Sequence, residues 1–364
     1  MAGILASSDI NICHLQSPPQ LSSSAPRILF YLYAPFKIMF QLAVLFWTIL
    51  VTITRPDFIL VQNPPAIPTL FVAQQLFGQS AYAHLCVTDA MASDLRDNWG
   101  ISGKLIVLHD KAPRHFRRLD AAEIHKLWTR LLADSQFSQL QTRICDKQGT
   151  SGALLTSRRK DGSVEMRRNR PMLVVSSTSW TADEDFSILL EALTLYDKTA
   201  SMSKPQSACL PYLVVLITGK GPLRGHYESE IARLQLGSVS IVTAWLSAED
   251  YPLVLGSADL GISLHTSSSG LDLPMKVVDM LGCGMPVCAY KFSCIDELVT
   301  GNNGLVFSSA AELAEQLQDL AAQLGHSDGS YRQLLLGAEQ FRKIDWDTHY
   351  MQALELFQQL SMVG

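Results

Sequence analysis

The sequence predicts an α/β protein, and over residues 171–364 a complete doubly wound lobe on a parallel sheet. Three observations predict it. Runs such as LVV (173–175), LVVLI (213–217) and LGISL (260–264) are apolar without alternation, as strands buried on both faces require. Amphipathic stretches of helical length, among them DEDFSILLEALTLYD (183–197) and GPLRGHYESEIARLQL (221–236), separate those runs. Loops of small residues follow the strands: SSTSW (176–180), TGKGPL (218–223) and HTSSSGLD (265–272). Ligands of such lobes bind at the carboxyl ends of the strands, where loops and helix N-termini present free N–H groups.

The remaining elements continue the alternation. VSIVTAW (239–245), PVCAY (286–290) and GLVF (304–307) read as strands, AEDYPLVLGS (248–257) and LPMKVVDMLGCG (273–284) as helices, and further helices close the chain. Earlier in the sequence FILVQ (58–62), HLCVT (84–88) and LIVLH (105–109) read as short buried strands. IPTLFVAQQLF (67–77), DAMASDLRDNW (89–99) and AAEIHKLWTRLLADSQFSQL (121–140) read as helices, with Asp89 capping the second. Three strands fall short of the roughly six of a full Rossmann-like lobe, so residues 28–143 read as an incomplete first lobe. Gly, Ser and mixed charge across 144–170 read as the linker, and the Ser/Pro-rich residues 1–27 as a disordered lead.

Composition limits what the chain can bind. With 48% hydrophobic residues in 364 it can bury substantial cores, and a net charge of -5 excludes a general nucleic-acid binder. Seven cysteines (Cys13, Cys86, Cys145, Cys209, Cys283, Cys288, Cys294) form no CxxC pair and read as buried thiols of a reducing compartment. Residues 28–54 are apolar and aromatic, with Lys37 the last charge before Arg55. The uncharged part is shorter than the roughly 20 residues of a spanning helix, so it reads either as a helix lying in a membrane interface or as a core helix.

In TGKGPL the glycines allow close backbone approach and Lys220 adds a cation, a fair diphosphate cradle. The motif has neither the GxxxxGK[ST] nor the GxGxxG spacing, and a tight turn with a solvated lysine explains it equally well. Asp272, Lys276 and Asp279 raise the same choice between a capped helix N-terminus and a ligand site. Asp183-Glu184-Asp185 has the DxD pattern of metal sites, yet it opens an amphipathic helix, where acids favour the dipole. It reads as capping, and His265 reads as an interior histidine.

The order SSTSWTADEDF, TGKGPL, SADLGISLHTSSSGLDLPMKVVDMLGCGMPVCA, ELVTGNNGLVF resembles the nucleotide-sugar lobe of the GT-B glycosyltransferases, and among them the beta-mannosyltransferases acting on dolichyl-diphosphate chitobiose. The likeness runs over nearly all of residues 171–350 and resumes at VQNPPAIPTL and LCVTDAMASDLRDNW. It implies two Rossmann-like lobes, GDP-mannose as donor, dolichyl-diphosphate chitobiose as acceptor and transfer with inversion. It also implies the cytosolic face of the endoplasmic reticulum membrane, contact with membrane lipid, and association with other lipid-linked oligosaccharide mannosyltransferases. No cofactor or metal is implied. Carried onto this sequence, the donor-binding set is Ser177, Thr178, Gly219, Lys220, Gly221, Ser268, Ser269, Gly270, Asp272, Lys276, Asp279 and Glu297.

The chain departs from the family pattern in its first lobe. The opening βα unit with its glycine loop is not found, nor is the strand and Asp-Trp-His-Asn loop expected between QQLFGQS and AYAHLCVT. Inverting transfer needs a base beside the attacking hydroxyl, and no residue here is assigned that role. A second reading follows, in which the donor lobe persists in a binding or assembly protein without transfer.

Overall fold

The computed structural model describes residues 27–48, 83–101, 103–140, 154–202, 210–267, 269–344, 346 and 349–351. The chain forms two compact units, Met1–His84 with Trp99–Lys104, and Leu85–Asn98 with Leu105–Gly364. In the smaller unit the main described element is helix α1 (Arg27–Trp47). Pro35 lies inside it, where its ring removes one backbone donor, and Phe36, Met39 and Trp47 are exposed. Among the described residues no helix is long and apolar enough to cross a membrane. The expected strand 58–62, the expected helix 67–77 and residues 49–54 lie outside the described residues.

The next elements are strand β1 (Ala83–Cys86), helix α2 (Asp89–Asp97), strand β2 (Lys104–Val107) and helix α3 (Ala121–Leu131). Thr88, not Asp89, is the N-cap of α2: its Oγ1 accepts from the Met91 N–H at 3.0 Å, while Asp89 is the acid of the first turn. Both residue types cap well, and the strand's end decides which of them keeps extended backbone. Helix α3 carries a full capping box between Asp120 and Glu123.

The stretch expected to be a linker is in part structured. Strands β3 (Thr156–Arg158) and β4 (Val164–Met166) form an antiparallel hairpin, and Leu154 and Leu155 before it are buried with α3 residues Leu127 and Trp128. Two buried leucines tie down a segment whose outer face is charged, as in the Arg159–Glu165 pair across the hairpin.

A six-stranded parallel sheet organises the larger unit. It comprises β5 (Met172–Ser177), β6 (Leu213–Thr218), β7 (Val239–Ala244), β8 (Leu260–Ser263), β9 (Val287–Tyr290) and β10 (Gly304–Phe307), in the order β10-β9-β8-β5-β6-β7. Helices α4 (Phe186–Met202), α5 (Arg224–Arg233), α6 (Asp250–Ser257), α7 (Met275–Gly282), α8 (Ala310–Ala322) and α9 (Ser330–Lys343) connect and close it. This is the doubly wound order, and it reverses between β5 and β8, which pair from Val174↔Leu260 to Ser176↔Ile262.

The period of two along each strand divides the apolar residues between two cores. Leu173, Val175, Val214 and Leu216 pack with Trp128, Val254, Val277 and Leu281. Met172, Val174, Leu213, Val215 and Ile217 pack with Leu189, Leu193, Leu313 and Leu317 on the other face. The unbroken apolar runs follow from covering both faces. Cys86, Cys283, Cys288 and Cys294 are free and buried, and burial pushes their thiols up.

At the amino ends of β5 and β8 lies a buried charge network. Asp259, 1% exposed, takes a two-pronged grip from Arg170 at 2.6 and 2.8 Å and also accepts from the Leu173 N–H at 2.8 Å. Asp259→Ala strands the Arg170 guanidinium and an amide in the interior and is expected to cost about 3–5 kcal/mol. Urea unfolding of the full chain measures this, and a loss within about 0.5 kcal/mol, typical of surface substitutions, would place the pair in water.

Candidate functional site

Most of the residues expected to act gather at the carboxyl ends of β5, β6 and β8, beside the β5/β8 reversal. The floor of the group is the loop after β5. The Thr178 hydroxyl donates to Glu184 Oε2 at 2.6 Å and accepts from the Trp180 N–H at 2.7 Å, and the Ser179 N–H donates to Glu184 Oε2 at 2.9 Å. Trp180 has φ 49°, a left-handed conformation that bulky residues rarely adopt and that costs of order 1–3 kcal/mol. It is held there by burial against Phe186 and Tyr227 and by its Nε1–H bond to the Gly219 carbonyl at 3.3 Å.

The β6 loop lies directly on that floor. A Cβ at Gly219 would collide with the Thr178 carbonyl oxygen, and one at Gly221 with that of Ser179. Only glycine permits the approach, so these glycines join two loops backbone to backbone. Lys220, expected as a free cation, sits 4.1 Å over the ring of Trp245, an exposed residue that follows β7.

The loop after β8 is internally fastened. Asp272 accepts from the hydroxyls of Ser267 and of Ser269, the latter at 2.9 Å. Burial pushes its carboxyl up, but those hydroxyls outweigh burial and hold it below the usual range. Asp272 is not the cap of α7, whose N-cap is Pro274 without a side-chain bond. Gly270 has φ 72° and its carbonyl accepts from Ser293 Oγ at 2.6 Å. Ser268 lies outside the described residues.

Lys276, in the first turn of α7, donates from Nζ to Glu184 Oε1 at 2.6 Å. Glu184 is 2% exposed, so the acidic triplet read as a capping run divides in three. Asp185 caps, accepting from the Ser187 N–H at 2.9 Å; Asp183 lies 3.4 Å from His265 Nδ1; Glu184 turns inward. Ser177 Oγ accepts from the Tyr251 hydroxyl at 3.1 Å. Asp279, on the next turn of α7 after Lys276, has its carboxyl pushed up to about 7 by burial.

Glu297 has other partners than those expected. Its oxygens accept from the Asp89 and Ala90 N–H groups at 2.7 and 2.8 Å, and His109 Nε2 lies 3.1 Å away. It clamps the N-terminus of α2, whose cap Thr88 donates to the Leu271 carbonyl at 2.6 Å. The ligand atoms of Asp89, His109 and Glu297 lie within 4.8 Å of one another, spacing that a metal ion could use. A carboxylate already accepting two helix N–H groups is satisfied as a clamp. Glu184, Tyr251, Thr88 and His109 were missed as neighbours of the loops at the strand ends. Only burial and partners distinguish them from ordinary surface and capping residues.

The reversed parallel sheet, with its loops gathered at the strands' carboxyl ends, has the architecture of a nucleotide-binding lobe. Residues 172–323 match the family described as "Glycosyl transferases group 1". Among solved structures the fold is similar to HepE of Anabaena in complex with UDP, with TM-score 0.54, 16% identity and coverage of 89% of this chain and 76% of that one. A glycosyltransferase from Rickettsia africae is similar at TM-score 0.51 and 14% identity, covering 82% and 68%. At those identities the likeness is one of fold. The sequence is 39% identical over 369 residues to chitobiosyldiphosphodolichol beta-mannosyltransferase of Mus musculus, covering 89% of this chain and 74% of the relative. It is 42% identical over 295 residues to the Homo sapiens protein of that name, covering 80% and 62%. A protein named UDP-glycosyltransferase TURAN of Arabidopsis thaliana is 41% identical, covering 84% and 76%. The chain belongs to the chitobiosyldiphosphodolichol beta-mannosyltransferase family.

The raised carboxyl of Asp279 has a definite pH signature. Its folded value lies above the ordinary 3.8, so the folded state holds the proton more tightly than the unfolded one. The stability this contributes is present below pH 3.8 and is lost as pH rises to about 7. Asp279→Asn, which cannot ionise, is expected to melt at the same temperature as the wild type near pH 4 and above it at pH 8. Parallel melting curves across that range would show a solvated carboxylate.

Proposed function

We infer that the chain transfers mannose from GDP-mannose to dolichyl-diphosphate chitobiose with inversion, at the cytosolic face of the endoplasmic reticulum membrane and without a metal cofactor. The observation that carries this reading is the meeting, at one topological switch point, of the loops after β5, β6 and β8 with the anchored Lys276, in a chain whose relatives bear that enzyme's name. A nucleoside diphosphate leaving group gathers negative charge as the glycosidic bond breaks. Lys276 and Lys220 can stabilise that charge, and Asp279 can accept from the ribose hydroxyls. Asp272, already fastened to two serine hydroxyls, would shape the loop.

The acceptor reading draws on the relatives' names and on helix α1, whose exposed Phe36, Met39 and Trp47 suit an apolar interface. Deleting residues 28–54 is expected to release the chain from microsomes into the soluble fraction; a deleted chain that still pellets after carbonate washing would remove this segment as the anchor.

The transfer itself is tested with purified chain, GDP-mannose and lipid-linked chitobiose, with UDP-glucose as competing donor and the anomer of the product read by NMR. A beta-mannosyl product formed from GDP-mannose supports the reading, and no transfer above a chain-free blank overturns it. Lys276→Ala is expected to weaken GDP-mannose binding by about 1.5–3 kcal/mol, the range for a hydrogen bond to a charged group. Calorimetry on the folded variant checks this, and unchanged affinity would make Lys276 a structural partner of Glu184 alone.

A further inference from the structure

Glu184 makes more connections among the loops at the strand ends than a helix-opening acid has reason to make. Its Oε1 accepts from Lys276 Nζ at 2.6 Å, and its Oε2 accepts from the Thr178 hydroxyl and the Ser179 N–H. Its backbone bridges to His265, and the Asp183 carbonyl beside it accepts from the Thr266 N–H at 3.3 Å and the Thr266 hydroxyl at 2.8 Å. One residue thereby joins the loop after β5, the loop after β8 and the first turn of α7. Capping of α4 does not require it, because Asp185 supplies that bond.

Stability does not explain it either. Taking a carboxylate out of water is costly, and apolar replacements of buried ion pairs are often neutral or stabilising. What the pair supplies is a fixed place for a cation. A lysine ammonium has three donors, of which Glu184 takes one, and the Lys276 side chain remains 27% exposed. A free lysine would lose rotamer freedom on gripping a phosphate, whereas an anchored one has lost it before the ligand arrives.

We propose that Glu184 is a positioning residue for the donor's diphosphate, holding the Lys276 ammonium and the Thr178–Ser179 turn in their binding geometry before the nucleotide sugar enters. This rests on the donor reading given above. It makes Glu184 act through Lys276, so the two residues should be energetically coupled.

The test is a double-mutant cycle on the full chain, with GDP as the probe in calorimetry and GDP-mannose in the transfer assay. Glu184→Gln keeps the shape and an acceptor for Thr178 and Ser179 but removes the charge that fixes Lys276. It is expected to weaken GDP binding about tenfold in the wild-type background and less than about twofold beside Lys276→Met, as coupled neighbours require. In transfer it should raise KM for GDP-mannose more than it lowers kcat. Glu184→Asp keeps the charge but is shorter by one methylene; it serves if the Gln variant does not fold, with the same dependence on Lys276 at smaller size. GDP bound as tightly as by wild type, or more tightly, would show that the carboxylate competes with the ligand and would overturn the proposal. So would an equal loss in both backgrounds, which marks a structural role. Wild-type chain that binds no GDP overturns the donor reading itself, an outcome distinct from both.

Discussion

The adjacency of β5 and β8 is the constraint on which the rest depends. Strands far apart in sequence pair in parallel there, the winding of the sheet reverses, and the helices that follow them pack on opposite faces, α4 through Leu189 and Leu193 and α7 through Val277 and Leu281. The carboxyl ends at such a reversal are where doubly wound lobes take their ligands. The two ends of this strand pair carry the clearest buried charges in the unit, and they differ in kind. At the amino end Asp259 is saturated by Arg170 and a backbone amide, with Arg118 nearby. At the carboxyl end Glu184 accepts three hydrogen bonds, whereas its partner Lys276 makes one among the described residues, and an ammonium has three donors. The first pair fixes the strands, and the second holds a partly exposed cation beside the loops after β5 and β8.

Backbone contact adds to side-chain packing in the loops beneath that cation. Gly219 and Gly221 lie against the carbonyls of Thr178 and Ser179, and the Leu223 N–H donates to the Trp180 carbonyl at 3.0 Å. Trp180 keeps its left-handed backbone because these bonds and a buried aromatic cluster over-determine it. Donors fixed in place before a charge develops need no reorganisation when it does, which is where electrostatic stabilisation is most effective.

The sheet and its loops were legible in the sequence for a simple reason. A parallel sheet covered on both faces forces unbroken apolar runs, and the small residues that follow each run mark its carboxyl end. The partners of the charged residues were not legible. Asp183, Glu184 and Asp185 are consecutive acids before an amphipathic helix, and one helix-dipole argument covers all three; only the packed structure sends one to His265, one to Lys276 and one to the Ser187 N–H. The hairpin at 156–166 was hidden because its strands are three residues each and face solvent with arginine and glutamate. Composition there says linker, and the burial of Leu154 and Leu155, two residues among many polar ones, says otherwise. Lys220 shows a further limit, since spacing places it on a glycine loop but cannot foresee Trp245 beneath its ammonium.

Glu297 carries the last step. The resemblance sends it toward the donor, yet its two oxygens accept the first N–H groups of α2, and His109 Nε2 lies beside one of them. A helix N-terminus is a favourable site for a carboxylate, so this arrangement is self-consistent without a ligand. Its effect on the site is indirect. Thr88, which caps the same helix, reaches the Leu271 carbonyl, and Ser293, just ahead of Glu297, reaches the Gly270 carbonyl. Consecutive carbonyls of the β8 loop are therefore held from two sides by segments far away in sequence. Each bond is worth only about 0.5–1.5 kcal/mol net, but together they fix the loop in which Gly270 adopts a left-handed turn and Asp272 gathers its serines. Glu297 thus bears on the loop after β8 through α2.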